Sequence, residues 1–215
     1  MKRIITVRGT GNLSAKPDFI LLTMDLRAND YEYEATMNIA TEQVDVIKTA
    51  LGELGFKKKD IKTTNFDVHP RFESIKDALG NYKRQFEGYE CRHSLKLEFD
   101  LDMVLLSRVL TALAKCEANP EFEVKFTVKD KEFIKSKLLE DAVLNAKSNA
   151  ETLAKASGVS LGKIVSINYN WGELHLYSDT TYDMSEKCMV APSCIDIEPE
   201  DIDVNDGVTI VWKIK

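Results

Sequence analysis

The chain has 215 residues, of which 44% are hydrophobic and 30% are charged, and its formal net charge is -6. This composition is typical of a soluble globular protein and argues against long disordered regions. The acidic balance offers no basic footprint for nucleic acid, so we do not expect a nucleic-acid partner.

The N-terminal apolar run ends at Arg8, before it reaches the about 7 to 15 residues that the core of a signal peptide needs. No stretch approaches the about 18 apolar residues of a membrane-spanning helix. The sequence as written therefore predicts a cytoplasmic protein without membrane insertion, or an exported one if a leader has been removed.

The first quarter of the chain predicts two strands and a helix. Residues 4–9 form the first strand, and Gly9-Thr10-Gly11-Asn12 is typical of a bulge or tight bend. Alternating apolar residues from Ile20 to Leu26 predict the second strand. A helix follows, with one apolar stripe that runs from Tyr33 to Leu51.

A long hairpin is the next prediction. Its strands are Asp60–Phe72 and Tyr82–Asp100, joined by a bend at residues 77–81, and its tip is expected to project beyond the core. Gly88 lies where the apolar register switches, which indicates a β-bulge.

The second half predicts two further helices. Asp102 caps the first, and a strand at residues 122–128 follows. The second is a long helix in which Ala142, Ala146 and Ala150 recur every fourth residue, with Leu138, Leu139 and Leu153 on the same side. Such small side chains let a helix approach a sheet closely.

A glycine stop at Ser157-Gly158-Val159 ends the long helix, and a strand from Ile164 to Trp171 follows. If the strands on either side of this helix are parallel in one sheet, their connection is right-handed. Gly172–Asp201 lacks a period and predicts a long loop with an acidic end, and residues 208–214 form the closing strand.

The predicted order is β-β-α-β-β-α-β-α-β-β, an α+β fold with helices packed on a mainly antiparallel sheet. We expect one domain over residues 1–215, or two intertwined α/β halves at about 1–101 and 102–215, since a domain takes about 100 to 200 residues.

No motif predicts an active site. The glycines at 9 and 11 lack the third glycine or lysine of a phosphate-binding loop. Neither a nucleophile elbow nor a His-Glu-x-x-His motif occurs. His69, His93 and His175 lie far apart, so we expect no catalytic residue, no cofactor and no metal site.

Five residues are candidates for lining a ligand or partner groove. Cys91 and His93 lie on one face of a predicted strand, where core packing is the alternative to a thiol and imidazole pair. Tyr169, Trp171 and Tyr177 cluster at the start of the long loop, where they either anchor a partner or hold the loop to the sheet. Cys188 and Cys194 flank part of that loop and would pair only in an oxidising setting.

An ordered set of short motifs resembles the SIMPL-domain family, which includes oxidative-stress-defence and periplasmic immunogenic proteins of bacteria. The motifs are these: Ile5-Thr6-Val7-Arg8-Gly9-Thr10-Gly11, Pro17-Asp18, Asp60-Ile61-Lys62-Thr63, Tyr89 with its strand, Ala142-Val143, Ala146, Ala150-Glu151, Leu153-Ala154, Gly158-Val159 and Leu161-Gly162-Lys163. The resemblance implies an α+β fold, export of many members, a link of some to envelope or oxidative stress, and homo-oligomers in some. It implies no catalytic residue.

Our leading hypothesis is a non-enzymatic protein that acts through self-association or protein binding, with the hairpin and the long loop as contact surfaces. One alternative is a small-molecule binder or hydrolase with a cleft under residues 172–201. Another is a thiol-based stress sensor that uses Cys188 and Cys194.

Overall fold

The computed structural model describes residues 3–76, 81–169, 172, 174–184 and 198–215. The strands in this part of the chain are β1 (Ile4–Ala15), β2 (Phe19–Asp30), β3 (Ile61–Lys76), β4 (Tyr82–Asp100), β5 (Glu121–Thr127), β6 (Leu161–Tyr169), β7 (Tyr177–Met184) and β8 (Ile202–Ile214). The helices are α1 (Tyr33–Gly52), α2 (Met103–Lys115) and α3 (Lys131–Ala156). The α+β class is confirmed, with one strand more than predicted.

The strands form two antiparallel sheets. One has the order β1-β8-β6, and the other has the order β3-β4-β2-β5-β7. The strands on either side of α3 therefore belong to different sheets, so β5, α3 and β6 do not form a crossover within one sheet.

The additional strand, β7, lies inside Gly172–Asp201, for which the sequence predicted a loop without regular structure. That prediction was wrong for Tyr177–Met184. The segment reads YSDTTYDM, with no alternation of apolar and polar residues. Its place at the end of a sheet, and not its own pattern, makes it a strand.

The chain divides into two compact units, each made of segments that are distant in sequence. The first comprises residues 1–18, 127–179 and 199–215, and the second comprises residues 19–126 and 180–198. The prediction of a single domain stays a prediction.

The core of the second unit lies between its sheet and the apolar stripes of α1 and α2. Asp102 caps α2 as predicted, because its carboxylate accepts hydrogen bonds from the backbone nitrogens of Val104 and Leu105 at 2.9 Å. The largest fully buried side chains of this core are Phe126, Ile20, Leu22, Met24, Leu26, Ile47, Leu51, Leu95, Leu97, Leu106, Leu110 and Leu113.

The first unit is built around close packing of α3 on β1. Ala142, Ala146 and Ala150 are at most 1% exposed, which confirms the predicted stripe. A Cβ at Gly9 would lie 2.2 Å from the carbonyl oxygen of Ala142, and a Cβ at Gly11 would lie 2.1 Å from that of Leu138. Methyl groups on the helix and glycines on the strand together allow this approach.

The prediction of a bulge or bend at residues 9–12 was therefore wrong. Gly9 and Gly11 lie within β1, which pairs with β8 without a register shift from Ile4 to Ala15. Glycine is required there because α3 occupies the space of a side chain, not because the chain turns.

The helix α3 ends at the glycine stop that the sequence predicted. Gly158 has a φ of +70°, and the backbone nitrogen of Val159 donates to the carbonyl oxygen of Ala154 at 3.0 Å, as in a Schellman ending. Leu153, which the sequence placed on the apolar stripe, is instead 48% exposed.

The long hairpin is β3 and β4, and residues 77–80 at its bend lie outside the described residues. The register between the strands shifts between Arg71 and Phe72, where the opposing residues are Gly88 and Phe86. Gly88 has a φ of +107°, which confirms the predicted bulge.

Candidate interaction surfaces

Cys91 and His93 lie two residues apart on β4, in the second unit. Cys91 is 1% exposed and packs in a cluster with Ala28 and Ala40. Burial, followed by the charge of Asp67, raises the pKa of the Cys91 thiol. A buried thiol with a raised pKa is a poor nucleophile, because the thiolate is the reactive form.

His93 is only partly buried. Its Nε2 lies 2.8 Å from the Thr63 hydroxyl, and its ring meets Phe66 edge to face with centroids 5.0 Å apart. Burial, followed by the charge of Lys48, lowers the pKa of His93. The neutral imidazole is therefore favoured. Among the described residues a hydroxyl and an aromatic ring contact it, and no carboxylate forms a hydrogen bond with it.

Tyr169 and Tyr177 belong to the first unit. The Tyr169 hydroxyl donates to Asp206 Oδ2 at 2.7 Å, and this hydrogen bond, followed by desolvation, raises the pKa of Tyr169 to about 12. Tyr177 packs under Lys131, whose Nζ lies 4.8 Å from the ring centroid. Trp171 lies outside the described residues, so the proposed five-residue lining stays a prediction.

Cys188 and Cys194 also lie outside the described residues, and the thiol-sensor hypothesis stays a prediction. Within the described part of the chain, no group of three or more His, Cys, Asp or Glu side chains is arranged to hold a metal ion. None of the described helices is long and apolar enough to cross a bilayer.

An open depression of about 290 Å³ lies where β1 pairs with β8 in the first unit. Its lining consists of Asn12, Leu13, Ser14, Asp203, Val204 and Asn205. Asp203 is the one carboxylate in this lining, so the depression lacks a pair of groups for general acid and base catalysis.

The two edges of the three-stranded sheet differ in their protection. At the β1 edge, the backbone nitrogens of Thr10 and Asn12 donate to Asn145 Oδ1 at 3.1 Å and Asp141 Oδ2 at 3.0 Å. Both acceptors are side chains of α3. The helix thus satisfies edge groups that would otherwise be open to another strand.

The β6 edge has no such cover in the described part of the structure. Ile164, Val165 and Ile167 are 51%, 49% and 52% exposed, and Lys163 is the one charged residue of the strand. Its register with β8 is irregular up to Ser166 and regular from there to Tyr169. Exposed β-branched residues on an edge strand are typical of a surface that pairs with another strand.

The distal part of the hairpin, Phe72–Lys76 with Tyr82–Phe86, forms a second exposed surface. Phe72 pairs with Phe86, Ser74 with Arg84 and Lys76 with Tyr82, so these six residues share one face. We call this the basic aromatic face. It has two cations, three aromatic rings and no carboxylate.

The cations of this face lie on its rings. Arg84 lies 4.6 Å from the centroid of Phe72, and Lys76 lies 5.3 Å from that of Tyr82. Phe72 is 47% exposed and Tyr82 is 73% exposed. These cations were not among the residues predicted from the sequence to bind a partner, although Lys76 continues the alternation of Phe72 and Ser74.

Comparison with known proteins gives a consistent result. The family model described as SIMPL, a protein of unknown function (DUF541), matches residues 5–212. An uncharacterized protein YggE of Edwardsiella ictaluri is 25% identical over 98% of this chain and 86% of its own length. A 26 kDa periplasmic immunogenic protein of Brucella abortus is 23% identical over 76% of this chain and 65% of its own, and one of Brucella melitensis matches to the same extent.

Proposed function

This chain belongs to the SIMPL family of proteins of unknown function, and we propose that it is a non-enzymatic binding protein that associates with a second copy of itself through the edge of β6. The observation that carries the proposal is the contrast between the two edges of one sheet. Side chains of α3 cap the β1 edge, whereas β6 exposes three aliphatic side chains within four residues.

The proposed contact is isologous, so that β6 of one copy lies antiparallel to β6 of the other across a twofold axis. Main-chain hydrogen bonds would continue the sheet from one copy into the next. Ile164, Val165 and Ile167 would then be removed from water, at roughly 25 cal/mol per Å² of apolar surface. The part of the edge without a register shift, Ser166–Tyr169, is the part best suited to pairing.

The test is the solution mass by size exclusion with light scattering. The wild-type chain should approach twice its 24.3 kDa with increasing concentration. Replacing Ile164 and Ile167 with lysine should give a monomer, because an edge lysine opposes strand addition.

The matched control is Leu144→Lys with Leu153→Lys, which changes two exposed aliphatic residues of α3 to the same cations. The control should keep the wild-type mass. A wild-type chain that stays monomeric at high concentration, or a β6 variant that still forms dimers, would refute the proposal.

The compartment and the physiological role follow from the relatives only in part. Two of them are named periplasmic, which supports export and weighs against the cytoplasmic location predicted from the sequence. The link to stress response rests on the resemblance.

The alternatives of a small-molecule binder or hydrolase and of a thiol sensor gain no support from the described residues, because Cys91 is buried and Cys188 and Cys194 are not described.

A further inference from the structure

The basic aromatic face has a charge opposite to that of the whole protein. The chain carries a formal net charge of -6, yet the face holds Lys76 and Arg84 and no carboxylate among its six residues. In the described part of the chain, neither cation forms an ion pair with a carboxylate. A cation that lies on an exposed ring keeps its charge available to an anion.

The other face of the distal hairpin is neutral. Glu73 pairs with Gln85, and Ile75 pairs with Lys83, so this face carries one carboxylate and one ammonium group. Among the described residues of the distal hairpin, the excess of positive charge is therefore confined to one side. An anionic surface is attracted to the basic aromatic face and not to the opposite one.

The rings of the face become more exposed towards the bend. Phe86 is partly buried, because it meets Tyr31 and Tyr89 edge to face with centroids 5.3 Å and 5.4 Å apart. Phe72, which pairs with Phe86, is 47% exposed, and Tyr82, nearer the bend, is 73% exposed. The most exposed ring is thus the one farthest along the hairpin from the core.

Both sides of the distal hairpin are open to water. Apart from Phe86, each of its residues is exposed. Two strands alone are marginally stable, and a third strand or a packed surface normally stabilises them. A strand added at the β3 edge of the sheet would leave the face uncovered, because the rings and cations project from the face and not from the edge.

A bilayer surface would cover the face and match its chemistry. Exposed aromatic side chains are typical of the level of lipid headgroups. Each Lys or Arg near an anionic bilayer strengthens binding about fivefold. Exposed charges more than about 8 Å from the bilayer are largely screened at physiological ionic strength, so the net charge of the chain does not prevent the contact.

We propose that the basic aromatic face docks on the surface of a bilayer that contains anionic phospholipid. Tyr82 and Phe72 lie at headgroup level, and Lys76 and Arg84 contact the lipid phosphates. The face rests on the bilayer without spanning it. This contact goes beyond the proposed function and does not depend on it, since it uses no residue of β6.

The first test is cosedimentation with vesicles of phosphatidylcholine and phosphatidylglycerol, compared with vesicles of phosphatidylcholine alone. The wild-type chain should bind the mixed vesicles only, and more weakly as salt is added. Lys76→Gln with Arg84→Gln should lower the partition coefficient about 30-fold, as two cations are lost.

The matched control is Lys58→Gln with Lys59→Gln, which removes the same charge from an exposed turn after α1. It should leave the partition coefficient unchanged. Equal loss in the control, or equal binding of the wild type to both kinds of vesicle, would overturn the proposal.

The second test places a fluorescent probe on the face. In Tyr82→Trp, the added indole should shift its emission to shorter wavelength when mixed vesicles are present, because it leaves water. The control is Phe133→Trp, at an exposed ring of α3 in the first unit, where the added indole should show no shift. The absence of a shift in Tyr82→Trp, or the same shift in both variants, would contradict docking through this face.

An acidic polypeptide is the other anionic partner to test. Poly-L-glutamate should bind the wild-type chain no better than it binds the Lys76→Gln, Arg84→Gln variant at physiological salt. If it binds through these cations and the mixed vesicles do not, the face binds acidic polypeptide and docking on lipid is refuted.

The proposed function fails by a different measurement. Lys76→Gln with Arg84→Gln should leave the mass by light scattering unchanged, because the face takes no part in β6 pairing. A wild-type chain that stays monomeric but binds mixed vesicles would refute the β6 contact and support docking. A dimer that ignores the vesicles would do the reverse.

Discussion

Gly9 on β1 lies so close to Ala146 on α3 that a Cβ at Gly9 would be 2.6 Å from the Ala146 Cβ and 2.4 Å from the Ala146 backbone nitrogen. Real Cβ atoms do not approach backbone this closely, so either the helix or the strand would have to move. The contact of one glycine with one alanine therefore fixes how α3 lies on its sheet.

Replacing Gly9 with alanine should destabilise the protein by about 3 kcal/mol, the upper part of the range for overpacking a tight contact. Gly52→Ala is the control, because a Cβ there meets nothing within 4 Å. Gly52 is the last residue of α1, so Gly52→Ala should raise the free energy of unfolding by less than about 1 kcal/mol. Urea unfolding measures the stability of both variants. If Gly9→Ala and Gly52→Ala change the free energy of unfolding equally, the close contact at Gly9 is contradicted.

Unfolding should be a single cooperative transition, although the chain has two compact units. Residues 1–18, 127–179 and 199–215 form one of them, so the chain passes between the units repeatedly and neither is a continuous segment. Far-ultraviolet and near-ultraviolet circular dichroism should give coincident melting curves. Gly9→Ala should shift the whole curve, and a shift of only one part would show that the units unfold separately.

Stability should fall in alkaline solution through Tyr169. Its folded pKa is raised to about 12, from an unfolded value of about 10. A raised pKa contributes stability that is fully present below the unfolded pKa and is lost as the pH rises through the folded pKa. The window is therefore pH 10 to 12.

Tyr169→Phe should remove this contribution, because the hydrogen bond to Asp206 requires the hydroxyl. The free energy of unfolding, measured across that window, should then depend less on pH than in the wild type. Tyr33→Phe, at an exposed tyrosine of the other unit, is the control. If the free energy of unfolding depends equally on pH in the wild type and in both variants, the Tyr169 hydroxyl has no such role.

His93 should lose its proton more readily than a free histidine. Burial and then Lys48 lower its pKa, so its contribution to stability is present above the unfolded value of about 6.5 and is lost as the pH falls through the folded pKa. Imidazole resonances in a proton NMR titration report this pKa directly. Lys48→Ala should raise the pKa of His93 part of the way to its ordinary value, because burial, the larger cause, remains.

Lys58→Ala is the matched control for Lys48→Ala, since Lys58 does not contribute to the lowered pKa. It should leave the titration of His93 unchanged. A His93 pKa at or above the ordinary value in the wild type would show that the imidazole is better solvated than its surroundings in the structure indicate.

Local patterns predicted the elements that have a clear period or a clear stop. The alanine stripe of α3, the glycine stop at Gly158 and the bulge at Gly88 depend on neighbouring residues, and each was predicted correctly. The lining of a groove could not be tested in the same way. Cys91 and His93 lie in one unit and Tyr169 and Tyr177 in the other, and Trp171 is not described.

The sequence by itself determined the α+β class, the alanine face of α3 and its need for a close partner, because helical and strand periods are properties of short segments. Only the tertiary structure decided that the partner of Ala142 and Ala146 is the pair of glycines in β1, which the sequence suggests for a bend. It also decided that α3 caps the β1 edge while β6 exposes its aliphatic residues. The physical reason is that sheet edges and close approaches join segments more than a hundred residues apart, such as Thr10 and Asn145. No local pattern carries that information.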